Sequence, residues 1–495
     1  MFLAALAAFA QTPGSLGYYN DAMLFGRTYV GGTARMQAIG GAQVSLGGDV
    51  SSAYVNPAGL GFFNRSTFAI TPSMNFHTAT SEYLGQTRDD FRNNFNIGNI
   101  GIVFHQKPGS RYSKYKGGSF AITLTRINDF YNDIYIDAYN DESSIIDAYL
   151  DRAWGIEPQN LPDDLYNAYL QYLINPYTEI DPGSGNEFTA YESFITGYPR
   201  QTEQITNSGK QYEWDFSYGG NYNDVLYFGL SAGVSTVNYW SSSLYVESEF
   251  EENGQPDEAL YELSTENALR INGIGVNSTL GLIFRPADIF RLGVSIKTPT
   301  FYNLNDESSE DLQTIYNNYA YVTPDTTVIL DSFYDQYASY SSYNLTTPWR
   351  YSIGGSIFLG KFGFISADVD YMDYSKSQIK SRDYNAYEEN ESIVQLYQST
   401  LNYRLGAELR FGPMRFRAGY NYMGDPYVNN SLDQSIQRIS GGIGFRNSNM
   451  FVDLSAVHSS FNSVRSPYTF YDGTGPQASI QNENLNMSLT LGFNF

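Results

Sequence analysis

The stretch LNMSLTLGFNF (485–495) alternates strictly between apolar and polar residues. Its apolar members are Leu485, Met487, Leu489, Leu491, Phe493 and Phe495. A period of two is the mark of a β-strand with one apolar and one polar face. In a soluble protein the apolar face would point at a core. In a membrane barrel it would point at lipid, and this strand would close on the first one.

Segments of the same kind recur along the chain, separated by turn residues. We count fourteen candidate strands, near 66–78, 97–106, 117–129, 211–222, 225–240, 268–285, 288–302, 346–359, 361–376, 395–411, 413–425, 434–447, 449–461 and 484–495. A tilted strand needs about 9–11 residues to cross a bilayer, so each candidate is long enough. The sequence therefore predicts an all-β fold, a 14-stranded antiparallel transmembrane β-barrel that spans 66–495.

The connections between these strands alternate in length. Those after even-numbered strands are short and rich in turn residues, as in Asn-Asp (223–224), Gly-Pro (412–413) and Asn-Ser-Asn (447–449). Those after odd-numbered strands are mostly longer, and the longest extends from about 130 to 210. Outer-membrane barrels have short periplasmic turns and long extracellular loops, whereas a soluble sandwich has no reason to sort its loops in this way. We therefore expect a cell outer membrane location in a Gram-negative envelope.

The two faces of the candidate strands differ in charge. In the tenth strand, Leu401, Leu405 and Leu409 share one face, while Arg404 and Glu408 share the other. An arginine at the lipid midplane costs about 2–4 kcal/mol, whereas a hydrated lumen accepts it. The charged faces therefore point into the predicted barrel.

Composition excludes several classes of protein. The 495 residues include no cysteine, so disulfides, thiolate metal sites and thiol nucleophiles are absent. A net charge of −23 argues against nucleic acid as a partner, because phosphate neutralisation needs clustered Lys and Arg. The 44 Tyr and 32 Phe suit aromatic girdles at membrane interfaces, although tyrosine-rich surface loops would give the same bias.

The first ten residues, MFLAALAAFA, form a short apolar run that ends in a small-x-small pattern before Gln11. We interpret residues 1–10 as a secretory signal peptide, with an ordinary apolar first turn as the alternative. The run has no basic n-region, so we expect a leader that begins upstream of Met1.

Acidic residues are concentrated in the longest connection. Between Asp129 and Glu203 there are many Asp and Glu residues but only two arginines, Arg152 and Arg200. Two stretches, DESSIIDAYLDRAWGI (141–156) and LPDDLYNAYLQYLIN (161–175), predict short amphipathic helices. A solvated extracellular loop explains this pattern, and no calcium-loop spacing supports a divalent-cation site.

The residues between the signal peptide and the first strand, 11–65, do not alternate. They contain three Gly-Gly pairs, which favour tight turns and close backbone approach. Asp49 is placed to cap a short helix through Ala53 and Tyr54, which the Asn56-Pro57 pair would end. A compact segment of this size would fit in the barrel lumen as a hatch; a periplasmic tail is the alternative.

GGTARMQAIGGAQVSLGGDVSSAYVNPAGLGFF (31–63) resembles the N-terminal hatch of the FadL/TodX family of outer-membrane channels for long-chain fatty acids and other hydrophobic compounds. The resemblance rests above all on the hatch motif Asn56, Pro57, Ala58, Gly59 and Leu60. KTPTFY (297–302), TTPWRYSIGGSIF (346–358), the strand count and the terminal Phe495 are similar to the family as well. The final Phe resembles the signal read by the barrel-assembly machinery, which we expect as a partner during biogenesis.

The resemblance implies a barrel blocked by the hatch, with an internal ligand pocket and sideways release through a gap made by a kinked strand. Sideways release makes physical sense, because an acyl chain exposed to water costs about 0.8 kcal/mol per CH₂. By analogy the kink lies on the third strand, where Gly117, Gly118 and Asn128 are candidates. Inward-facing candidates for the lumen or ligand lining are Phe362, Phe364, Arg404, Arg410, Arg415, Arg417 and Arg438, and for each of them a lumen salt bridge or a contact with the hatch is favoured over a ligand anchor.

Three functions remain open at this point. The first is passive outer-membrane transport of a hydrophobic small molecule, a long-chain fatty acid or an aromatic hydrocarbon, by a monomer embedded in outer-membrane lipid, with no cofactor and no metal. The second is a surface interaction protein or adhesin that binds a partner through its acidic loops. The third is a membrane-embedded hydrolase, which would need a serine with a histidine base. His77, His105 and His458 have no flanking motif for it, so we predict a protein that is not an enzyme.

Overall fold

The computed structural model is a closed barrel of fourteen antiparallel wall strands, which confirms the predicted fold and strand number. It describes residues 17–29, 31–107, 112–183, 185–322, 326–428 and 432–495, so the predicted signal peptide at 1–10 lies outside the described residues. Within those ranges, no helix is long and apolar enough to cross a membrane.

The wall strands are numbered β1 to β14 in chain order, and four of them are interrupted. They are β1 Thr67–Tyr83, β2 Gln86–Gln106, β3 Tyr115–Asp129 with Asn132–Tyr139, β4 Tyr198–Tyr222, β5 Leu226–Glu252, β6 Leu260–Ala287, β7 Phe290–Lys297 with Phe301–Val322, β8 Thr327–Thr346 with Arg350–Phe358, β9 Gly363–Asp373 with Gln378–Ser381, β10 Ser399–Phe411, β11 Met414–Met423, β12 Ile436–Arg446, β13 Met450–Arg465 and β14 Ala478–Asn494. The breaks in β7 and β8 fall side by side at Thr298–Thr300 and Thr347–Trp349, where each carries a proline that cannot donate to a ladder.

β14 closes the barrel on β1 along its whole length, from Thr67 opposite Asn494 to Tyr83 opposite Ala478. Phe493 is 50% exposed on the outside, while Ser488 is 1% exposed inside. The apolar face of 485–495 therefore points outward, as expected of a strand that faces lipid.

The alternation reverses higher on the same strand. Ala478 and Ile480 point inward and are buried, whereas Ser479 and Gln481 are exposed outside. A polar outer face belongs in water, so the upper part of β14 projects above the membrane. β1 and the upper parts of β3 and β4 complete small apolar clusters with these two residues.

The strands extend further than the sequence predicts. The predicted long connections after β1, β5 and β7 are continuous strands with short tips, such as the Leu84–Gly85 turn between β1 and β2. Residues 86–98, 241–252 and 303–322 carry polar side chains on both faces, so their sequence pattern predicts loops. In the structure they form regular ladders. The tenth strand also begins later than predicted, since a helix occupies Tyr387–Leu396.

The longest true connection runs from 140 to 197 rather than from 130 to 210. It contains the two predicted helices, Ile145–Ala153 and Asp163–Leu170, followed by a hairpin of Asn175–Ile180 with Glu187–Glu192. Its apolar residues pack on the tops of the extended strands, in a cluster that includes Ile145, Tyr149, Leu165, Tyr245, Leu263, Leu312 and Tyr316. The acidic connection is therefore a folded cap.

Residues 17–63, here called the N-terminal segment, lie inside the barrel. They form helices at Tyr19–Gly26 (α1), Ala34–Ala38 (α2) and Ser52–Val55 (α3), and a 3₁₀ helix at Pro57–Phe62. Ser51 rather than Asp49 is the N-cap residue of α3; the Asp49 carboxylate accepts the backbone N–H of Ser51 at 2.9 Å. The Asn56-Pro57 pair ends α3 as predicted, but the chain continues directly into the 3₁₀ helix.

Inward-facing glycines let this segment approach the wall closely. A Cβ at each of these positions would lie 2.6 Å or less from an atom of residues 38–58: Gly219, Gly229, Gly281, Gly293, Gly406, Gly419 and Gly442. They belong to seven different strands, so the N-terminal segment is in contact with most of the circumference.

Candidate functional site

The wall is discontinuous where β3 breaks. β2 and β3 share a backbone ladder only from Asn99 to Gln106. The register of β3 against β4 shifts between Arg126 and Asn128, and β3 stops at Asp129. Among the described residues, no strand pairs with the edge that 86–98 of β2 presents toward β3. Of the three candidates for a kink on the third strand, Asn128 lies at this break, while Gly117 and Gly118 lie at a second register shift, between Tyr115 and Gly118.

Interior groups replace the missing ladder on the β3 side. The Ile127 carbonyl accepts the backbone N–H of Tyr29 at 2.9 Å, and the Asn128 amide donates to the Leu24 carbonyl at 3.0 Å. The break is therefore held by the N-terminal segment instead of by β2. Buried backbone groups need such partners, because an unpaired one costs about 1–3 kcal/mol.

Side chains cross the gap between β2 and the upper part of β3. Arg92 pairs with Asp133 at 2.8 Å and Arg88 with Asp137 at 3.0 Å. Lower down, Asn94 donates to Asp129 at 2.9 Å. These contacts join two elements that have no backbone hydrogen bonds to each other.

At the lowest point of the gap, a tyrosine of β4 reaches past β3. The Tyr212 hydroxyl donates to the Ile97 carbonyl of β2 at 3.0 Å. Phe95 of β2, which is 70% exposed, and Trp214 of β4, which is 41% exposed, flank this bridge on the outside. Both rings are therefore exposed on the outer surface of the barrel beside the gap.

A cavity of about 510 Å³ lies behind the gap. It is bounded by α1, by the break at 126–132 and by the inner faces of β1, β12, β13 and β14. Met23 and Leu24 of α1, Ile127 and Phe130 of the break, and Tyr239 of β5 supply most of its apolar lining. Its size falls in the range of about 300–1,000 Å³ that small-molecule sites occupy.

The barrel wall of this cavity is polar and rich in asparagine. Nine asparagines line the cavity: Asn20, Asn75, Asn96, Asn128, Asn132, Asn207, Asn462, Asn484 and Asn486. Ser73, Ser459 and Ser463 lie among them, and His77 is 6% exposed with no hydrogen-bond partner at Nδ1. The apolar exceptions on this wall are Ile436 and Phe461.

Two arginines lie at one end of the cavity without a carboxylate partner among the described residues. The Arg438 guanidinium donates to Ser459 Oγ at 3.0 Å and lies 5.2 Å from the centroid of the Tyr29 ring. Arg27 donates to the backbone carbonyls of Gly424 and Gln434 at 3.1 and 3.0 Å. Both arginines are half-buried, and a cation that is partly removed from water favours a charged partner, so this end of the cavity can accept an anionic group.

The predicted hatch motif lies at the level of the inward glycines. Asn56 is 1% exposed; its amide donates to the Val44 carbonyl at 2.7 Å, and its oxygen accepts the Ala58 N–H at 3.1 Å. Ala58 and Leu60 are buried, and Pro57 is the first residue of the 3₁₀ helix. Adding a Cβ to Gly59 would place it 2.7 Å from Ser52 Oγ. The motif holds the segment together and against the wall, away from the cavity lining.

Four of the predicted arginines point inward but lie outside the large cavity. Arg417 bridges Glu408 at 2.7 Å and Asp453 at 2.6 Å, and Arg410 also pairs with Glu408 at 2.8 Å. Arg404 pairs with Asp370. Arg415 donates to the carbonyls of Gly412 and Met414, in and beside the turn after β10. Of the predicted residues, Arg438 alone contributes to the large cavity.

The two predicted phenylalanines lie in different environments. Phe364 is 1% exposed and packs on Ile39 and Leu46 of the N-terminal segment. Phe362 is 62% exposed in the turn after β8, so the prediction that it faces the lumen is wrong. The alternation of inward-facing and outward-facing residues in β9 begins at its first residue, Gly363, and does not extend back into the turn.

Sequence reasoning missed most of the cavity lining. Arg27 and Tyr29 lie in a segment without periodicity, which gives no signal of side-chain direction. Asn486 belongs to the polar face of 485–495, but its clustering with Ser73 and Asn75 depends on barrel closure. The signal that could have found this wall is the inward parity of β1 and β14 combined with their pairing.

The described residues contain no arrangement of serine, histidine and carboxylate that would form a hydrolytic triad. His105 Nδ1 lies 3.3 Å from Ser119 Oγ near the periplasmic end, but no carboxylate contacts its ring within the described part of the chain. His458 is exposed on the outer face of β13. No group of three or more metal-ligating side chains occurs among the described residues.

Comparison with known proteins identifies the fold. No protein-family model and no curated protein matches the sequence. Among solved structures, a FadL homologue from Pseudomonas aeruginosa matches with a TM-score of 0.54 at 12% identity, over 94% of this chain and 99% of that chain. The chain has the FadL/TodX fold.

Two further structures of this FadL-type fold are the toluene transporter TodX of P. putida and the toluene transporter TbuX of Ralstonia pickettii. Each matches with a TM-score of 0.51 at 12% identity, over 94% of this chain and 99% of the other. The resemblance stated from the hatch motif and the strand count is thus confirmed for the fold. An outer-membrane-type barrel agrees with the outward apolar face of its strands.

Proposed function

We propose that this FadL-type barrel is a passive outer-membrane transporter of amphipathic or hydrophobic small molecules, and not an enzyme. The observation that carries the proposal is the position of the cavity, directly behind the unpaired edge of β2. Its structural neighbours include a FadL homologue and two toluene transporters.

Lateral release is the second part of the proposal. A ligand in the cavity is separated from the lipid by the break at 126–132 and by a few side-chain contacts, since no backbone ladder crosses the upper gap. Movement of the break and of the Tyr212 side chain would connect the cavity with the outer leaflet. The apolar part of the ligand would then avoid water, at a saving of about 0.8 kcal/mol per CH₂.

Uptake by cells tests transport. We expect cells that lack the protein to take up labelled palmitate or toluene more slowly than complemented cells. If both substrates enter equally fast with and without the protein, transport of these substrates is excluded.

The unpaired arginines make the test specific to the cavity. Arg438→Gln is expected to lower palmitate uptake several-fold and to leave toluene uptake unchanged, because only the acid has a charge to bind. Arg415→Gln is the matched control, since Arg415 points inward but contacts only backbone carbonyls near a turn. If the two substitutions change palmitate uptake equally, Arg438 does not bind the carboxylate of the ligand.

The adhesin alternative predicts a partner bound by the acidic loops. The apolar residues of the longest of these, 140–197, are buried against the strand tops, and no contact in the described chain favours a partner there. Its test remains separate, because deletion of 141–192 would abolish adhesion without changing uptake.

A further inference from the structure

The lining of the cavity is unusual for a site that would hold a plain hydrocarbon. Many of its polar side chains come from four adjacent strands, β12, β13, β14 and β1, which form one continuous wall, and others come from β2, β4, α1 and the break at 126–132. Its apolar side chains come mainly from α1 and from the break at 126–132. The cavity thus has a polar side and an apolar side along its length.

Part of the polar wall is already satisfied within the protein. Asn75 and Asn486 hydrogen-bond each other, and Asn207 accepts the Tyr239 hydroxyl at 3.0 Å. These residues would keep their partners whatever the cavity held, so they do not specify a ligand.

Other polar groups that line the cavity, three on the wall and Asn132 at the end of the break, have unused hydrogen-bonding capacity within the described residues. His77 is buried and its Nδ1 makes no hydrogen bond, and Asn132 Oδ1 is likewise buried without one. The Asn484 side chain, half-buried in the cavity lining, forms no hydrogen bond with another described residue. Asn462 has only a distant contact to the Asp433 carbonyl, at 3.4 Å. These four groups face the space in which a ligand would lie.

A linear alkyl chain is apolar on every side. Whichever side it turned to this wall, it would remove water from amide and imidazole groups and return no hydrogen bond. A site with buried polar groups discriminates strongly against ligands that cannot pair with them. A ligand with hydroxyl groups along one side and hydrocarbon along the other would satisfy both sides of the cavity.

The end of the cavity adds a second requirement. Arg438 and Arg27 lie there without a carboxylate partner in the described chain. A carboxylate on the ligand would supply the missing counter-charge through charge-assisted hydrogen bonds.

From these observations we infer that the preferred ligand is a facially amphipathic acid: a molecule with several hydroxyl groups on one side, hydrocarbon on the other and a carboxylate at one end. The inference rests on the proposed transport function and narrows its substrate class. The wall of β1, β12, β13 and β14 forms hydrogen bonds with the hydroxyl groups. The apolar side chains of α1 and of the break at 126–132 pack against the hydrocarbon side.

Equilibrium binding to the full-length protein in lipid nanodiscs tests the inference. The probes are cholate, which has three ring hydroxyls, lithocholate, which has the same skeleton and carboxylate but one hydroxyl, and palmitate. Each is measured below its micellar concentration, and binding to empty nanodiscs is subtracted to remove partition into lipid. We expect cholate to bind at least tenfold more tightly than lithocholate and palmitate.

A wall variant shows where the selectivity arises. Asn484→Leu is expected to reduce the preference for cholate over lithocholate several-fold, because it replaces an unpaired amide in the cavity. Gln481→Leu is the matched control, since Gln481 is on the same strand but faces outward. A preference that both variants leave unchanged would overturn the assignment of the wall.

The outcomes separate this inference from the proposed function. If lithocholate or palmitate binds as tightly as cholate, the inference is wrong but transport of amphipathic molecules stands. If none of the three acids binds above the empty nanodiscs, the inference falls together with the proposed transport of acids.

Discussion

The two edges of the β1–β2 hairpin differ in their backbone pairing with the neighbouring strands. Along its β1 edge, β14 forms a backbone ladder over the full length of the strand, from Thr67 to Tyr83. Along its β2 edge, the ladder with β3 covers only Asn99 to Gln106, and side chains span the rest. We call these the closed seam and the open seam. Each strand of the hairpin has residues that could form a ladder, so the difference arises from the neighbour, β3, which breaks at Asp129 and turns inward.

Where a barrel wall is open, backbone groups lose their ladder partners, so groups from the interior must form hydrogen bonds with them. In the closed seam, backbone groups satisfy each other. In the open seam, the Ile127 carbonyl is satisfied by Tyr29 and the Ile97 carbonyl by the Tyr212 hydroxyl. The N-terminal segment therefore completes the wall at this point.

The largest expected effect comes from locking the open seam. The chain has no cysteine, so a disulfide between cysteines introduced by Asn94→Cys and Asp129→Cys has no competing thiol in the protein. Oxidation should reduce uptake of labelled palmitate more than tenfold, and a reductant should restore it. The measurement is uptake before and after reduction, with cross-linking followed by gel mobility.

The closed seam supplies the matched control for the lock. Thr67→Cys with Asn494→Cys joins residues that are directly paired across β1 and β14 outside the cavity, with Thr67 Oγ1 2.9 Å from Asn494 Oδ1. Its oxidation should leave uptake unchanged. If both locks inhibit equally, or if the open-seam lock has no effect, release does not occur between β2 and β3.

A smaller effect is expected from removing the ion pairs of the open seam. Arg88→Gln with Arg92→Gln should speed amide hydrogen exchange in 86–98 several-fold and leave β14 unchanged, because only the open seam depends on side chains. Arg152→Gln, which breaks an ion pair with Asp164 in the cap, is the control. Equal exchange in the variant and the wild type would show that these ion pairs do not hold the seam.

The single hydrogen bond at the base of the gap gives a third test. Tyr212→Phe removes the donor to the Ile97 carbonyl and should destabilise the seam by about 1 kcal/mol. Uptake should rise by a few-fold at most, since the ring still fills the gap. A loss of uptake would mean that Tyr212 guides the ligand instead of holding the seam closed.

The smallest effect concerns pH. The pKa of Asp21 in α1 is raised to about 7, chiefly by burial and also by the nearby carboxylates of Asp306 and Glu389, against a lowering by the hydrogen bond from the Tyr343 hydroxyl. A carboxyl with a raised folded-state pKa favours the docked state below its unfolded pKa near 4, and this contribution is lost as the pH rises through about 7. α1 should therefore be less protected at pH 8 than at pH 5.

Limited proteolysis near residues 17–29 measures this difference. The neutral, isosteric variant Asp21→Asn should show the same protection at both pH values. The closed seam, which has no contact with Asp21, should not respond to pH in either protein. Unchanged pH dependence in Asp21→Asn would assign the effect to another group.

The fourteen strands could be located from the sequence because a strand between lipid and a hydrated lumen must alternate. In 401–411 and 485–493 only one face is apolar, so only that face can point outward. It underestimated the extent of β2, β5 and β7 because their upper parts have water on the outside, so the apolar outer face is lost. It placed Phe362 inside because parity was extended past the start of β9 into a turn.

The sequence by itself determined the strand number, the outward face, the alternating direction of the connections and the hatch motif, since these follow from local periodicity and turn chemistry. Tertiary structure alone decided the cavity. Asn75 and Asn486 are 411 positions apart in the chain and meet only when β14 closes on β1. Arg27 and Arg438 come to the same cavity from opposite ends of the sequence. Barrel closure and the inward break of β3 are long-range events, so no local pattern could specify what they bring together.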